Sequence, residues 1–221
     1  DRAVGGGAVN IIQRDGGNRF SGGMTYAFTT PGLIASNLTP ALEARGLKQT
    51  ASLKKYYDLA VALGGPIKKD RLWFFFSSRR GTTEQVQQGN YYNKLQATTP
   101  LFYEPDLSRP AIYAPFSRDY TMRVTLQAGQ SRISSSTSSQ PNCNCPFGLL
   151  TPTNNIPTAP EATGEHHYHP QVISSNRWTY PASNRFLLEG GITSQKQSQT
   201  NLRRPETGGV NPVQVLEQST N

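Results

Sequence analysis

The stretch "GGNRFSGGMTYAFTT", Gly16 to Thr30, decides the reading of the fold. Phe20, Gly22, Met24, Tyr26 and Phe28 share one parity, and Ser21, Gly23, Thr25, Ala27 and Thr29 the other. Successive side chains of a strand point to opposite faces, so this is a period-2 strand with large apolar groups on one side and small polar ones on the other.

Further stretches repeat the theme. In "YYDLAVALGG", Tyr57, Leu59, Val61 and Leu63 oppose Tyr56, Asp58, Ala60, Ala62 and Gly64. "RLWFFFSS" follows the turn "GPIKKD"; "YTMRVTLQ" opposes Met122, Val124 and Leu126 to Thr121, Arg123, Thr125 and Gln127. "RFLLEGGIT" opposes Phe186, Leu188, Gly190 and Ile192 to Leu187, Glu189, Gly191 and Thr193. "RISSSTSS" and "QVISSNRWTY" are weaker members, which makes about seven strands in all.

Connections at 64–70, 128–131 and 181–184 are tight and rich in turn formers, whereas 30–53, 80–119 and 140–170 read as long loops. Tight turns at one end and long loops at the other describe an up-and-down meander, the arrangement of an outer-membrane barrel. In hydrocarbon every backbone polar group must be paired, so strands span only as a closed barrel, apolar side outward. Phe20, Met24, Tyr26, Phe28, Tyr57, Leu59, Val61, Leu63, Phe186 and Leu188 are thus expected to face lipid.

Each strand leaving the tight-turn end begins polar–Arg–apolar: Asn18-Arg19-Phe20, Asp70-Arg71-Leu72, Ser131-Arg132-Ile133 and Asn184-Arg185-Phe186. The arginines would mark the polar boundary, where long cationic chains reach head groups or water. Trp178 and Tyr180 fall near the same end, as an interfacial aromatic belt requires. Trp73 has the parity of the inner face and is expected to pack inside the barrel.

Composition agrees with such a chain. It is 35% hydrophobic, with 20 Gly and 16 Pro, low for a compact soluble core of 221 residues, yet its 10% aromatic residues lie in alternating runs rather than in a disordered background. The net charge of +8 is scattered and forms no stripe, so no nucleic-acid partner is expected. No run of roughly 18 apolar residues suggests a membrane helix. The opening "DRAVGGGAVNII" has neither an initiator Met nor an apolar leader, which reads as a fragment.

"GGGAVNIIQRDGGNRFSGG", Gly5 to Gly23, resembles the junction between plug and barrel in TonB-dependent receptors, and "ALGGPIKKDRLWFFFSSRRG", Ala62 to Gly81, is similar to barrel strands of their Oar-like branch. "QPNCNCPFGL" and "NRFLLEGGIT" look like the same branch. The resemblance implies a barrel of about 22 strands around a plug in an outer membrane. It divides the chain into the end of the plug, residues 1–17, and the N-terminal part of the barrel, residues 18–221. Gly5, Gly6, Gly7, Asn10, Gly16 and Gly17 would shape the plug exit, where residues lacking a Cβ let the backbone turn sharply. The implied function is capture and import of a bulky nutrient, a siderophore, glycan or peptide, with a TonB-type energy transducer displacing the plug. The alternative is a secreted or surface all-β binding module, in which Phe20, Met24, Tyr26, Leu59, Val61 and Phe186 pack against a second sheet.

Three site expectations remain. Cys143 and Cys145 share an outer loop with His166, His167 and His169, all the Cys and His of the chain. Cys-x-Cys and His-x-His supply the ligand types of a metal site, while two thiols facing an oxidising medium form a disulfide. That disulfide needs a local bend, which Pro141 and Pro146 favour. Tyr91, Tyr92, Phe102 and Tyr103 offer the aromatic surface of a ligand loop, or pack on their own loop. No enzyme activity and no cofactor are expected: acidic residues occur singly, without Gly-x-Ser-x-Gly or a phosphate loop, and Asp58 and Glu189 read as solvated inner-face positions.

Overall fold

The structure is a computed structural model that describes residues 14–46, 52–149 and 158–204. Its strands are β1 (Ser21–Thr29), β2 (Ser52–Lys68), β3 (Leu72–Asn93), β4 (Pro105–Tyr113), β5 (Phe116–Ala128), β6 (Ser131–Ser139), β7 (Asn142–Phe147), β8 (Gly164–Ser183) and β9 (Phe186–Arg203). Helix among the described residues is limited to single turns at Pro31–Leu33, Pro40–Ala44 and Pro160–Ala162. All strands belong to one antiparallel sheet. No helix among the described residues is long and apolar enough to cross a membrane.

The nine strands lie on seven lines. β4 pairs with the outer part of β3 and β5 with its inner part, so β4 and β5 form one line broken at Ala114-Pro115. β6 and β7 likewise form one line along β8, broken at Gln140-Pro141. A proline cannot donate to the ladder, but its carbonyl still accepts: Thr83 N donates to Pro115 O at 3.4 Å and Arg118 N to Pro141 O at 3.0 Å. Followed along these lines, the chain is a strict up-and-down meander from β1 to β9. Turns at 69–71, 129–130 and 184–185 are short, and Asp70 and Gly129 occupy the left-handed region (φ 63° and 61°) that such turns require.

Two of the expected long loops are corrected. Residues 80–119 and 140–170 are largely sheet: β3 runs on to Asn93 and returns as β4, and β7 pairs with the start of β8. The alternating pattern could not reveal this. "TTEQVQQGNYYN" and the outer end of β9, "TSQKQSQTNLR", carry no apolar alternation: in the first Val86 is buried among polar neighbours, and the second is exposed along its length.

Register across the sheet sorts the side chains. Met24 stands opposite Val61, Val61 opposite Ser78 and Ser78 opposite Tyr120; Leu63 stands opposite Phe76 and Phe76 opposite Met122. Leu126, Ile133 and Trp178 continue that face. The opposite face carries Thr25, Ala60, Arg79 and Asp119 in one row. The sheet therefore has an apolar side and a polar side over its tight-turn half. From Phe20 to Phe28 the apolar rows run about 27 Å along the strand.

Nothing among the described residues covers the apolar side. Phe20 is 68% exposed, Met24 70% and Ile192 70%, whereas buried hydrophobic residues are limited to Val86, Ala111, Cys143 and Leu149. The second sheet that a soluble sandwich needs is absent among the described residues. Trp178 and Tyr180 stack on the apolar side near the tight turns, with ring centroids 6.1 Å apart. Arg80 and Tyr120 meet on the same side at the opposite boundary of the apolar rows, where Arg80 Nη2 donates to the Tyr120 hydroxyl at 2.7 Å.

Candidate functional site

The polar side is concave and is crossed by the residues that precede β1. Gly16 lies directly on the sheet: a Cβ there would meet the Phe74 carbonyl oxygen at 2.2 Å and that of Gly65 at 3.1 Å, so only glycine fits. Gly17 has open space around it. Gly5, Gly6, Gly7 and Asn10 lie outside the described residues. Asp15, one residue before this contact, extends across to β5 and β6. Its carboxylate accepts from the Thr125 hydroxyl at 3.1 Å and from Arg132 Nη2 at 2.6 Å, and it pairs with Arg123. Thr125 is only 1% exposed beneath this contact.

Asn18 closes the same end. Its Oδ1 accepts from Asp70 N at 2.9 Å and from the Trp73 indole at 2.7 Å, and its Nδ2 donates to Asp70 Oδ1 at 2.5 Å. Trp73 thus sits on the polar side of the sheet with a partner for its one polar atom. Arg132 lies on the same polar side, held there by Asp15. No local pattern could disclose that, as the two residues are 117 positions apart.

Beside this segment the polar side forms a hollow of about 760 Å³, lined among others by Arg14, Thr25, Ser77, Arg79, Asp119 and Asn142. Arg79 Nε donates to both oxygens of Asp58, at 2.9 and 3.0 Å. Asp119 accepts from Thr121 Oγ1 at 3.2 Å and Gln140 Nε2 at 2.9 Å. Glu189 pairs with Arg177 at 2.7 Å. Asp58 and Glu189 are therefore engaged one by one with arginines of neighbouring strands.

Of the four aromatic residues expected in a loop, two stand on strand. Tyr91 and Tyr92 end β3; Phe102 and Tyr103 precede β4. Tyr103 donates its hydroxyl to the Tyr91 carbonyl at 3.1 Å, and burial raises its phenol above the ordinary value. Arg109 lies over the Tyr92 ring at 4.4 Å, while Phe102 remains exposed. This hairpin packs on itself, and Glu161 braces it by accepting from Asn93 N at 2.5 Å.

Farther out, Cys143 and Cys145 on β7 are bonded to each other, with Cα atoms 5.5 Å apart. His167, opposite Cys143 in the register, brings Nε2 to 3.6 Å from the Cys143 sulfur and 3.9 Å from that of Cys145. The three histidines do not converge. His166 turns to the other side of β8, stacks on Phe147 with ring centroids 3.5 Å apart and meets Gln199 Nε2 through Nδ1 at 3.2 Å. His169 is exposed at a bulge. The fourth member of the cluster is Glu165, whose Oε2 is 2.8 Å from His167 Nε2. Glu165-x-His167 places both side chains on one side of a strand, a local signal with the same spacing as the His-x-His pair.

No protein-family profile and no solved structure matches the chain. The 72 residues that find a curated relative make up 7% of that protein's length. Over them, 32% of this chain, the sequence is 39% identical to the TonB-dependent transporter Oar of Myxococcus xanthus.

Proposed function

We propose that this chain is part of a TonB-dependent transporter of the outer membrane, the exit of its plug followed by the first third of its barrel. The observation that carries the reading is the uncovered apolar side of the sheet. Its rows span about 27 Å along the strands, or about 21 Å of height at a tilt of about 40°, which fills most of the roughly 25 Å band of an outer-membrane barrel, with aromatic residues at both boundaries. On this reading Phe20, Met24, Tyr26, Phe28, Tyr57, Leu59, Val61, Leu63, Phe186 and Leu188 contact lipid. Strand ends beyond the band project as an extracellular collar.

The polar side then faces the lumen. Residues 14–17 cross it as a plug exit would, Gly16 giving the close approach and Asp15 the anchor. The hollow beside them, lined by guanidinium, carboxylate, amide and hydroxyl groups, suits a polar, bulky solute such as a siderophore, glycan or peptide. Transport requires that the plug leave the lumen, and an inner-membrane transducer of the TonB type supplies that work. The likeness to a transporter supports this half of the reading.

Two tryptophans on opposite sides test the placement. In vesicles containing brominated lipid, fluorescence of a Trp73→Phe chain, which retains Trp178, is expected to be quenched, and that of a Trp178→Phe chain is not. Equal quenching of both, or of neither, would sink the barrel reading. Import is tested by deleting the gene in its host and following solutes left in the medium. A glycan, peptide or siderophore should persist both in the deletion strain and in wild-type cells treated with a protonophore. Unchanged uptake in both would remove the transport function.

A further inference from the structure

We propose that Cys143, Cys145, Glu165 and His167 form a redox-gated site for a thiophilic divalent cation of the Zn²⁺ class, which in its loaded form ties β7 to β8. This inference does not depend on the transport reading.

The argument starts from spacing. Residues two apart on a strand share a side, so Cys143 and Cys145 on β7 and Glu165 and His167 on β8 present two pairs of donors. The register sets Cys143 opposite His167 and so brings the pairs together. One donor atom from each of the four lies within 4.8 Å of all the others. A tetrahedral Zn²⁺ with Zn–S about 2.3 Å and Zn–N about 2.0 Å sets S···N edges of about 3.5 Å. The observed edges, 3.6 and 3.9 Å, are already near that value. The Glu165–His167 contact of 2.8 Å has only to open by about 0.5 Å to reach a tetrahedral N···O edge.

The donor set and its setting also fit. Two thiolates, an imidazole and a carboxylate satisfy the borderline-soft preferences of Zn²⁺. Cys143 is buried, while the Glu165 and His167 side chains are 33% and 31% exposed, which leaves an entry path from the outer side. Phe116 stands edge-on to His167 at 6.3 Å and limits its movement.

In the present form the sulfurs are bonded to each other and the site is closed. That bond closes a loop over a single intervening residue and joins no two strands. Cross-link stabilisation grows with the length of the loop closed, so this one contributes little to the fold. Reduction by a dithiol moves two electrons and two protons to the sulfurs; the S–S bond breaks and the donor leaves as its own disulfide. Zn²⁺ then displaces the two thiol protons and binds both sulfurs. The local ring of β7 is exchanged for a bridge between β7 and β8.

The test uses the full chain in detergent micelles, oxidised or reduced with a phosphine, titrated with Co²⁺ alone as the spectroscopic probe. The reduced chain is expected to bind one Co²⁺ with a thiolate-to-cobalt charge-transfer band that Zn²⁺ abolishes, and the oxidised chain to show none. Glu165→Gln and His167→Gln should each weaken binding about 10-fold or more and Cys143→Ser with Cys145→Ser remove the band, while His166→Gln and His169→Gln leave affinity and band unchanged. A reduced chain without the band, an affinity unchanged by His167→Gln, or equal binding by the oxidised chain would overturn the proposal. The oxidised and reduced samples share one sequence, so a variant that fails to fold does not decide the outcome.

Discussion

Asp15 is the residue on which the polar side of the sheet converges. One carboxylate holds the Thr125 hydroxyl and two guanidinium groups from neighbouring strands, and charge-assisted hydrogen bonds of this kind are about twice as strong as neutral ones. Removing it leaves Arg123 and Arg132 facing each other without the anion between them. Asp15→Ala is expected to cost about 1–3 kcal/mol of urea stability in micelles and to expose Arg14 to trypsin. An unchanged cleavage rate at Arg14 would mean that residues 14–17 are held by something other than this contact. The sequence offers no hint of the role: Asp15 stands in "QRDGGN", where an acidic residue reads as a turn former. Gly16 was legible as a position needing glycine, but the reason, a carbonyl standing where a Cβ would go, lies on a strand far along the chain.

At the scale of the strand, the two sides should respond to charge in opposite ways. A basic residue on the lipid side of a barrel costs about 2–4 kcal/mol at the membrane midplane and little on the lumen side. Met24→Arg and Thr25→Arg are adjacent in sequence and differ in side alone. The first is expected to lower the yield of chain folded into lipid vesicles, read by protection from protease, and the second to leave it near wild type. Equal losses would contradict the assignment of sides. β1, the tight-turn half of β3 and β5 were legible because burial on one side writes a period of two into the residues. The outer ends of β3 and β9 were not, since Gln, Ser, Thr and Asn alternate with one another there and leave no contrast. β4 and β7 were hidden for a second reason: Pro115 and Pro141 interrupt their lines, and a proline in a run argues against strand when only the run is visible.

For the molecule as a whole, the sheet ends on β1 and β9, whose outer edges have no partner among the described residues. Both strands are exposed along nearly their whole length. Unpaired edges flanking an apolar side recruit further strands, so the chain produced alone in plain buffer should form heterogeneous oligomers and disperse only in detergent. Size exclusion with light scattering distinguishes the cases. A monodisperse monomer that melts cooperatively without detergent would mean that the apolar side is covered, and the barrel reading would fall.

The amino-acid sequence by itself determined the fold class, the strands with a polar and an apolar side, and the end at which the turns are tight. Each of these is written in alternation, turn chemistry and spacing, which act over a few residues. Only the tertiary structure decided what meets across the sheet: Asp15 with Arg123 and Arg132, Asn18 with Trp73, and Glu165 in place of His166 beside the sulfurs. Those encounters depend on the register of strands tens of residues apart, which is set by the sum of all the pairings between them and is carried by no single stretch.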